Sequence, residues 1–256
     1  MNVSIIIVNR GKKMSNQYDN EPFFNAYSKM DRSRYGLEAA GEWQQFKRLL
    51  PPLSHKKVLD LGCGYGWHCK YVETQGAKEI LGIDSSQKML DFANNNNFGK
   101  VINYQLCGIK EYDYPIEKWD CVISNLALHY IDDLDFVFQK VHNTLKSNGT
   151  FIFNMEHPVF TSAIHQDWIY DKNGNPLYWP IDNYFETGKK QTRFLGQNIL
   201  KEHHTLTQIL MGLLQNGFEI QAVIEVEPPK EMRTLPGFEH ELRRPMMLMV
   251  KALVRK

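Results

Sequence analysis

The run Val58-Leu59-Asp60-Leu61-Gly62-Cys63-Gly64-Tyr65-Gly66-Trp67-His68 constrains this chain most, because it sets a glycine-rich turn directly behind a short apolar strand. Glycines at alternate positions reach backbone angles closed to other residues and, lacking Cβ atoms, let a ligand lie against the main chain. Such a turn belongs at the carboxyl edge of a parallel sheet, where doubly wound proteins hold nucleotide-like ligands. Strand and helix patterns alternate along the chain, as that sheet and its right-handed crossovers require. Strands are predicted near 57–61, 79–83, 103–107, 119–124, 150–155, 219–227 and 246–254, and helices over 66–75, 86–95, 134–146 and 205–216. Asn148-Gly149 and Asn216-Gly217 supply the stop chemistry of the last two helices. The final strand follows a proline-rich return and is expected to be antiparallel. Upstream, 36–50 reads as one amphipathic helix ended by Pro51-Pro52.

A Gly-x-Gly turn alone is weak evidence of a ligand, and three details sharpen it. The dinucleotide fingerprint puts its third glycine or alanine where this chain has Trp67, with the glycine displaced to Gly66, which argues against NAD and FAD. Asp60, two positions before the first glycine, would repel a pyrophosphate and welcome a cationic amino group. The next apolar run, Glu79-Ile80-Leu81-Gly82-Ile83-Asp84, ends in a carboxylate roughly 20 residues on, where a ribose-binding acid belongs. Ribose, an ammonium end and no pyrophosphate together describe S-adenosylmethionine.

The segments VLDLGCGYGWH, GIDSSQKML, WDCVISNLALHYI and LKSNGTFIFNMEHP, in that order, resemble the class I S-adenosylmethionine-dependent methyltransferases from about Val58 to Pro158. The stretch 30–43, with Glu156-His157-Pro158, Trp179-Pro180 and Arg244-Pro245, resembles a bacterial subgroup of small-molecule type. Methyltransferases of ubiquinone and menaquinone synthesis belong to the same broad group. The resemblance implies a Rossmann-like, seven-stranded, mostly parallel α/β sheet with helices on both faces and an aromatic-rich insertion after the fifth strand.

On that resemblance, Gly62, Cys63 and Gly64 form the cofactor loop and Asp84 accepts hydrogen bonds from both ribose hydroxyls, since an ionised carboxylate offers only acceptors. Asp60 would orient loop amides or face the methionyl ammonium. Ser85 and Met89 would flank the adenosine, although Met89 reads equally as a core residue. Gly108 and Ile109 would touch the base where the family often has an acid; here that acid is missing, and Glu111 or Asp113 could replace it. Asn125 would offer its carbonyl to the ammonium. Arg32 suits the methionyl carboxylate or an acidic substrate, or is simply a surface arginine.

The 256 residues suit one catalytic domain, expected over 14–256 with a cap segment at about 18–50 and a lid insertion at about 157–204. Arg10-Gly11-Lys12-Lys13 before Met14 resembles a translated ribosome-binding site, so Met14 is the expected start and 1–13 an extension. Lys and Arg number 30 against 29 Asp and Glu, which leaves no overall field for a polyanion. The fourth-strand segment also lacks the (Asn/Asp)-Pro-Pro-aromatic sequence of many base-amine methyltransferases. No segment approaches the roughly 20 apolar residues of a membrane span. Cys63, Cys69, Cys107 and Cys121 lack paired zinc spacing and read as reduced cytoplasmic thiols.

Between His157 and His204 the helix–strand pattern breaks into a loop-rich insertion with Trp168, Tyr170, Tyr178, Trp179, Tyr184 and Phe185. It reads as a lid over an aromatic or apolar acceptor, or as a satellite core. A sulfonium methyl needs alignment, water exclusion and, for an acceptor that carries a proton, a base. His157, His129 and Glu156 are the candidate bases, all following strand ends. His203-His204 departs from the Lys-x-His-Arg-Thr of relatives, with His204 in place of arginine. No compact spacing supports a metal. The expectation is methyl transfer to oxygen, nitrogen or carbon of a small acceptor, the rival being an inactive cofactor-binding accessory protein.

Overall fold

Strand segments that are apolar on both faces, as Val58-Leu59 and Val122-Ile123 are, must be covered by helices on both sides, and the chain folds to satisfy that demand. The computed structural model describes residues 16–235 and 238–256, so the expected extension and the Met14 start lie outside the described residues. Helices α1 (Glu21–Tyr27), α2 (Asp31–Tyr35) and α3 (Trp43–Leu49) lead into β1 (Lys57–Leu61), α4 (Trp67–Thr74), β2 (Glu79–Asp84), α5 (Gln87–Asn96) and β3 (Ile102–Leu106). Then come β4 (Trp119–Asn125), α6 (Leu134–Thr144), β5 (Leu145–Glu156) and α7 (Pro158–Thr161). Two small hairpins follow, β6 (Ile169–Tyr170) with β7 (Pro176–Tyr178) and β8 (Gly188–Phe194) with β9 (Gln197–His203). The chain closes with α8 (Leu206–Gln215), β10 (Phe218–Glu225) and β11 (Met247–Val254).

The main sheet has seven strands in the order β10-β11-β5-β4-β1-β2-β3. Only β11 runs antiparallel to its neighbours, as expected. One face buries Leu59, Leu61, Phe151 and Phe153 beneath α6 and α8, contributing Phe138 and Leu213. The other buries Val58, Ile80, Ile123 and Ile152 against Trp43, Phe46, Val72 and Leu90 from α3, α4 and α5. Strand order reverses between β1 and β4, so the crevice at their carboxyl ends is where this topology places a ligand.

Three local expectations are corrected. The segment 36–50 is a 3₁₀ turn at Gly36–Ala39, a break, and then α3, rather than one helix. Gly36 has a φ of 71°, and the Glu42 carboxylate turns inward at the break instead of facing solvent. α6 ends at Thr144, and β5 takes up Leu145 to Gly149 with Asn148 left-handed at a φ of 60°. The insertion after β5 is less irregular than its sequence, since it forms two hairpins.

Candidate active site

The turn after β1 is shaped by main-chain demands. The amides of Gly62 and Cys63 both donate to the Ile83 carbonyl at 2.9 Å, joining the tips of β1 and β2. Gly62 has a φ of 74°, and a Cβ there would overlap that of Ala127. Gly64 has a φ of 52° and, by contrast, a Cβ built on it meets nothing within 4 Å. That open space against bare main chain is the fit an S-adenosylmethionine methionyl chain requires. The Gly64 amide donates to Asp84 Oδ2 at 2.9 Å and the Ser86 amide to Oδ1 at 2.8 Å. Each carboxylate oxygen keeps a lone pair for a ribose hydroxyl. Burial pushes Asp84 up to about 6, against the pull of those amides.

Asp60 is buried beneath the loop and, among the described residues, accepts only the Cys69 thiol, at 3.4 Å. The expectation that it orients the loop amides is corrected, because the Gly62 and Cys63 amides go to Ile83 instead. Burial raises Asp60 to about 7, so a cationic ligand nearby would favour its ionised form. Met89 and Ile109 are buried, and the Glu111 carboxylate folds back over Gly108, the position from which an acid would reach a base.

The segment before α3 straps both lips of the crevice. Asn16 donates to Ser85 Oγ at 2.7 Å, and Asp19 accepts from Ser86 Oγ at 2.7 Å and the Lys88 amide at 3.1 Å. On the other lip the Tyr18 and Tyr130 hydroxyls share a hydrogen bond of 3.0 Å. Arg32 pairs with Glu42, which also accepts from Asn125 Nδ2 at 3.3 Å. Asn154 Nδ2 donates to Asn125 Oδ1 at 2.8 Å, so four side chains link α2 to the centre of the sheet. Burial alone would raise Glu42; the Arg32 charge overrides it and holds the carboxyl below its ordinary range.

At the end of β5, Glu156 accepts from Lys201 Nζ at 2.5 Å and from Gln166 Nε2 at 3.0 Å. Lys201 also donates to Gln166 Oε1 at 3.1 Å. Burial opposes ionisation of Glu156, but the Lys201 charge, with the hydrogen bonds from Lys201 and Gln166, brings its pKa below the ordinary value. His129 accepts the Glu156 amide on Nδ1 at 3.4 Å, and burial lowers it to about 4, so the ring is neutral. His157 caps α7 by accepting the Val159 amide on Nδ1 at 3.0 Å. Its Nε2 lies 3.1 Å from Glu225 Oε1 but is not aligned for a hydrogen bond, and burial lowers this ring also. His203 bonds Thr161 and the Tyr184 carbonyl, and His204 the Ile131 carbonyl. Among the described residues no three His, Cys, Asp or Glu side chains gather as metal ligands would, and no helix is long and apolar enough to cross a membrane.

The aromatic insertion packs largely on itself. Trp179 stacks on Phe160 at 5.0 Å with Trp168 edge-on at 5.4 Å. The Arg244 guanidinium lies 4.3 Å from the Trp179 ring and is held by Glu241 at 2.9 and 3.0 Å. Tyr170, Tyr178 and Phe185 remain exposed. Sequence reasoning missed Tyr18, Asp19, Glu42, Tyr130, Asn154, Gln166 and Lys201. Each acts through a partner distant in sequence, and only the proximity of Tyr130 to His129 and of Lys201 to His203 hinted at them.

Residues 59–153 match the family model described as a methyltransferase domain. The crystal structure of a Listeria monocytogenes protein assigned to the S-adenosylmethionine-dependent methyltransferases superposes with a TM-score of 0.82 at 46% identity, covering 86% of this chain and 100% of that one. A Haemophilus influenzae protein of unassigned function is 31% identical over 92% of this chain and 95% of its own length. The seven-stranded sheet and the glycine turn after β1 are those of doubly wound enzymes that use a nucleotide-like cofactor. With these matches, the chain belongs to the class I S-adenosylmethionine-dependent methyltransferases. More distant are a malonyl-[acyl-carrier protein] O-methyltransferase from Hamiltonella defensa, 30% identical over 55% of this chain, and a tRNA U34 carboxymethyltransferase from Shewanella pealeana, 28% identical over 63%. The chain matches only 55% and 48% of the lengths of those two proteins.

Proposed function

We propose that this enzyme methylates a small molecule held between the N-terminal strap and the end of β5. The observation that carries the reading is the pair of ties, Asn16 to Ser85 and Tyr18 to Tyr130, that encloses the crevice from both lips. An enclosed crevice excludes water and admits a compact acceptor more readily than a folded polymer. The near-neutral charge of the chain points the same way. The acyl-carrier-protein and tRNA enzymes among its relatives act on acceptors of other kinds, so kinship leaves the acceptor open.

When bound, S-adenosylmethionine supplies a methyl carbon that an acceptor lone pair takes as the carbon–sulfur bond breaks, the bonding pair remaining on sulfur. Asp84 holds the ribose, the Gly62-Cys63-Gly64 main chain and the Asn125 carbonyl hold the amino-acid end, and Arg32, aimed by Glu42, holds its carboxylate. Ser85, Met89, Gly108 and Ile109 line the adenosine. Neutral His129 and His157 each accept an amide on Nδ1, so the proton sits on Nε2 and both rings are donors rather than bases. His129 orients the acceptor, His157 fixes the chain after β5, and Glu156, ionised by Lys201, takes any proton the acceptor releases.

Incubation with methyl-labelled cofactor and, separately, dialysable cell extract or total tRNA tests the reading. Label is expected in dialysable products; label confined to tRNA would overturn it.

A further inference from the structure

Beside the Glu156 cluster a cavity of about 650 Å³ opens between the turn after α7 and β8. Its size suits a small-molecule ligand. Gln166 is part of its wall, and the same carboxamide holds both Glu156 and Lys201. A second cavity of about 350 Å³ shares Asn198 with the first and extends to Asp19, which is bonded to Ser86 beside Asp84. The two cavities are therefore neighbours, the smaller bordered by Asp19 of the strap and the larger by Gln166, which holds Glu156.

Residues of polar type line the larger cavity. Arg193 pairs across the hairpin with Asn198, and Gln191 lies two residues along β8 on the same face. None of these three exposed side chains has a partner among the described residues, and the neighbouring Asp167 carboxylate accepts the Trp168 amide and the Tyr170 hydroxyl on one oxygen, Oδ1. Arg193 thus forms no ion pair among the described residues, although the Asp167 carboxylate shares the cavity wall. The adjoining turn is strained: His165 and Gln166 are consecutive left-handed residues with φ of 63° and 50°. Strain of this kind persists where the surrounding structure holds it, and it clusters at ligand sites. Here the turn turns Gln166 onto Glu156 while His165 lines the cavity.

Building on the small-molecule reading, we propose that this cavity receives the acceptor and that the acceptor carries a carboxylate or phosphate seated on Arg193. A guanidinium fork matches either anion in a planar, bidentate manner, and the Gln191 and Asn198 carboxamides add neutral donors. An occupant fills the space against Gln166, so its binding is felt at the Glu156–Lys201 pair.

The test uses protein saturated with S-adenosylhomocysteine and titrated with inorganic phosphate and with acetate, followed by amide NMR. Saturable shifts centred on 165–167 and 191–198 are expected, weakened at least tenfold by Arg193→Gln and unchanged by Lys172→Gln on the exposed β6–β7 turn. The anion that binds more tightly identifies the acceptor's group. Absence of saturation with both anions, or equal binding by Arg193→Gln, would overturn the site. In parallel, dialysable extract is divided by charge before labelling. Label in the anionic fraction that falls at least tenfold with Arg193→Gln supports the proposal. Label only in neutral or cationic fractions overturns it while leaving small-molecule methylation intact, and label only in tRNA overturns the reading on which it rests.

Discussion

Asp84 and Glu156 both stand at the carboxyl edge of the sheet, but the chain holds them by different means. Asp84 is gripped by main-chain amides of residues 2 and 20 positions away. Glu156 is gripped by the side chains of Gln166 and Lys201, 10 and 45 positions away. The amides only partly offset burial, so Asp84 stays elevated at about 6, whereas full ionic partnership takes Glu156 below its ordinary value. A site built from main chain depends on backbone geometry and is sensitive to any added Cβ. One built from side chains depends on each partner being present.

The largest effect expected from that contrast is at Lys201. Lys201→Met leaves Glu156 buried without its cation and should cost about 3–5 kcal/mol of unfolding free energy by chemical denaturation. Replacing both partners, as Glu156→Leu with Lys201→Met, should recover most of the loss; failure to recover would show that the pair does more than satisfy itself. On the main-chain side, Gly62→Ala combines a left-handed φ with overlap on Ala127 and should cost about 3 kcal/mol. Gly64→Ala should cost about 1 kcal/mol, since only the backbone angle is unfavourable, yet should abolish cofactor binding by filling the ligand's space. Equal stability losses in the two variants would break the distinction drawn between these glycines.

Asp60 gives a pH test. Its pKa in the folded chain, about 7, exceeds the unfolded value of 3.8, so the fold holds the proton more tightly than the unfolded chain does. The stabilisation is full below the unfolded pKa and is lost as pH rises through about 7. Asp60→Asn should remove a slope of about 1.4 kcal/mol per pH unit between pH 5 and 7 and raise the melting temperature at pH 8. An unchanged slope would place Asp60 in a more polar setting. Smallest is Arg244→Lys, which keeps the charge but loses ring stacking and the two-pronged bond to Glu241, at about 1 kcal/mol.

The same contrast explains what could be read in advance. All seven main strands and the antiparallel last one were legible, because apolar runs and glycine turns are local signals. The loop and Asp84 were legible for the same reason, as their spacing is set by two adjacent strands. Helix stops were less so: the break before α3 reflects the inward turn of Glu42 toward Arg32 and Asn125, a tertiary preference over helical continuity. His157 stands at the position expected of a base, but its ring caps α7, which no pattern in the chain announces. The aromatics of the insertion were visible as a cluster, yet their anchor, Arg244, arrives from about 65 residues beyond Trp179.

Calorimetric titration with S-adenosylmethionine and S-adenosylhomocysteine, for wild type and Asp84→Ala with unfolding followed in parallel, tests the central claim most directly. Saturable wild-type binding that weakens about 100-fold in a folded Asp84→Ala protein is the predicted result, corresponding to loss of about 3 kcal/mol in charge-assisted hydrogen bonds. Equal affinity in the two proteins would contradict the placement of the cofactor on Asp84 and the glycine loop.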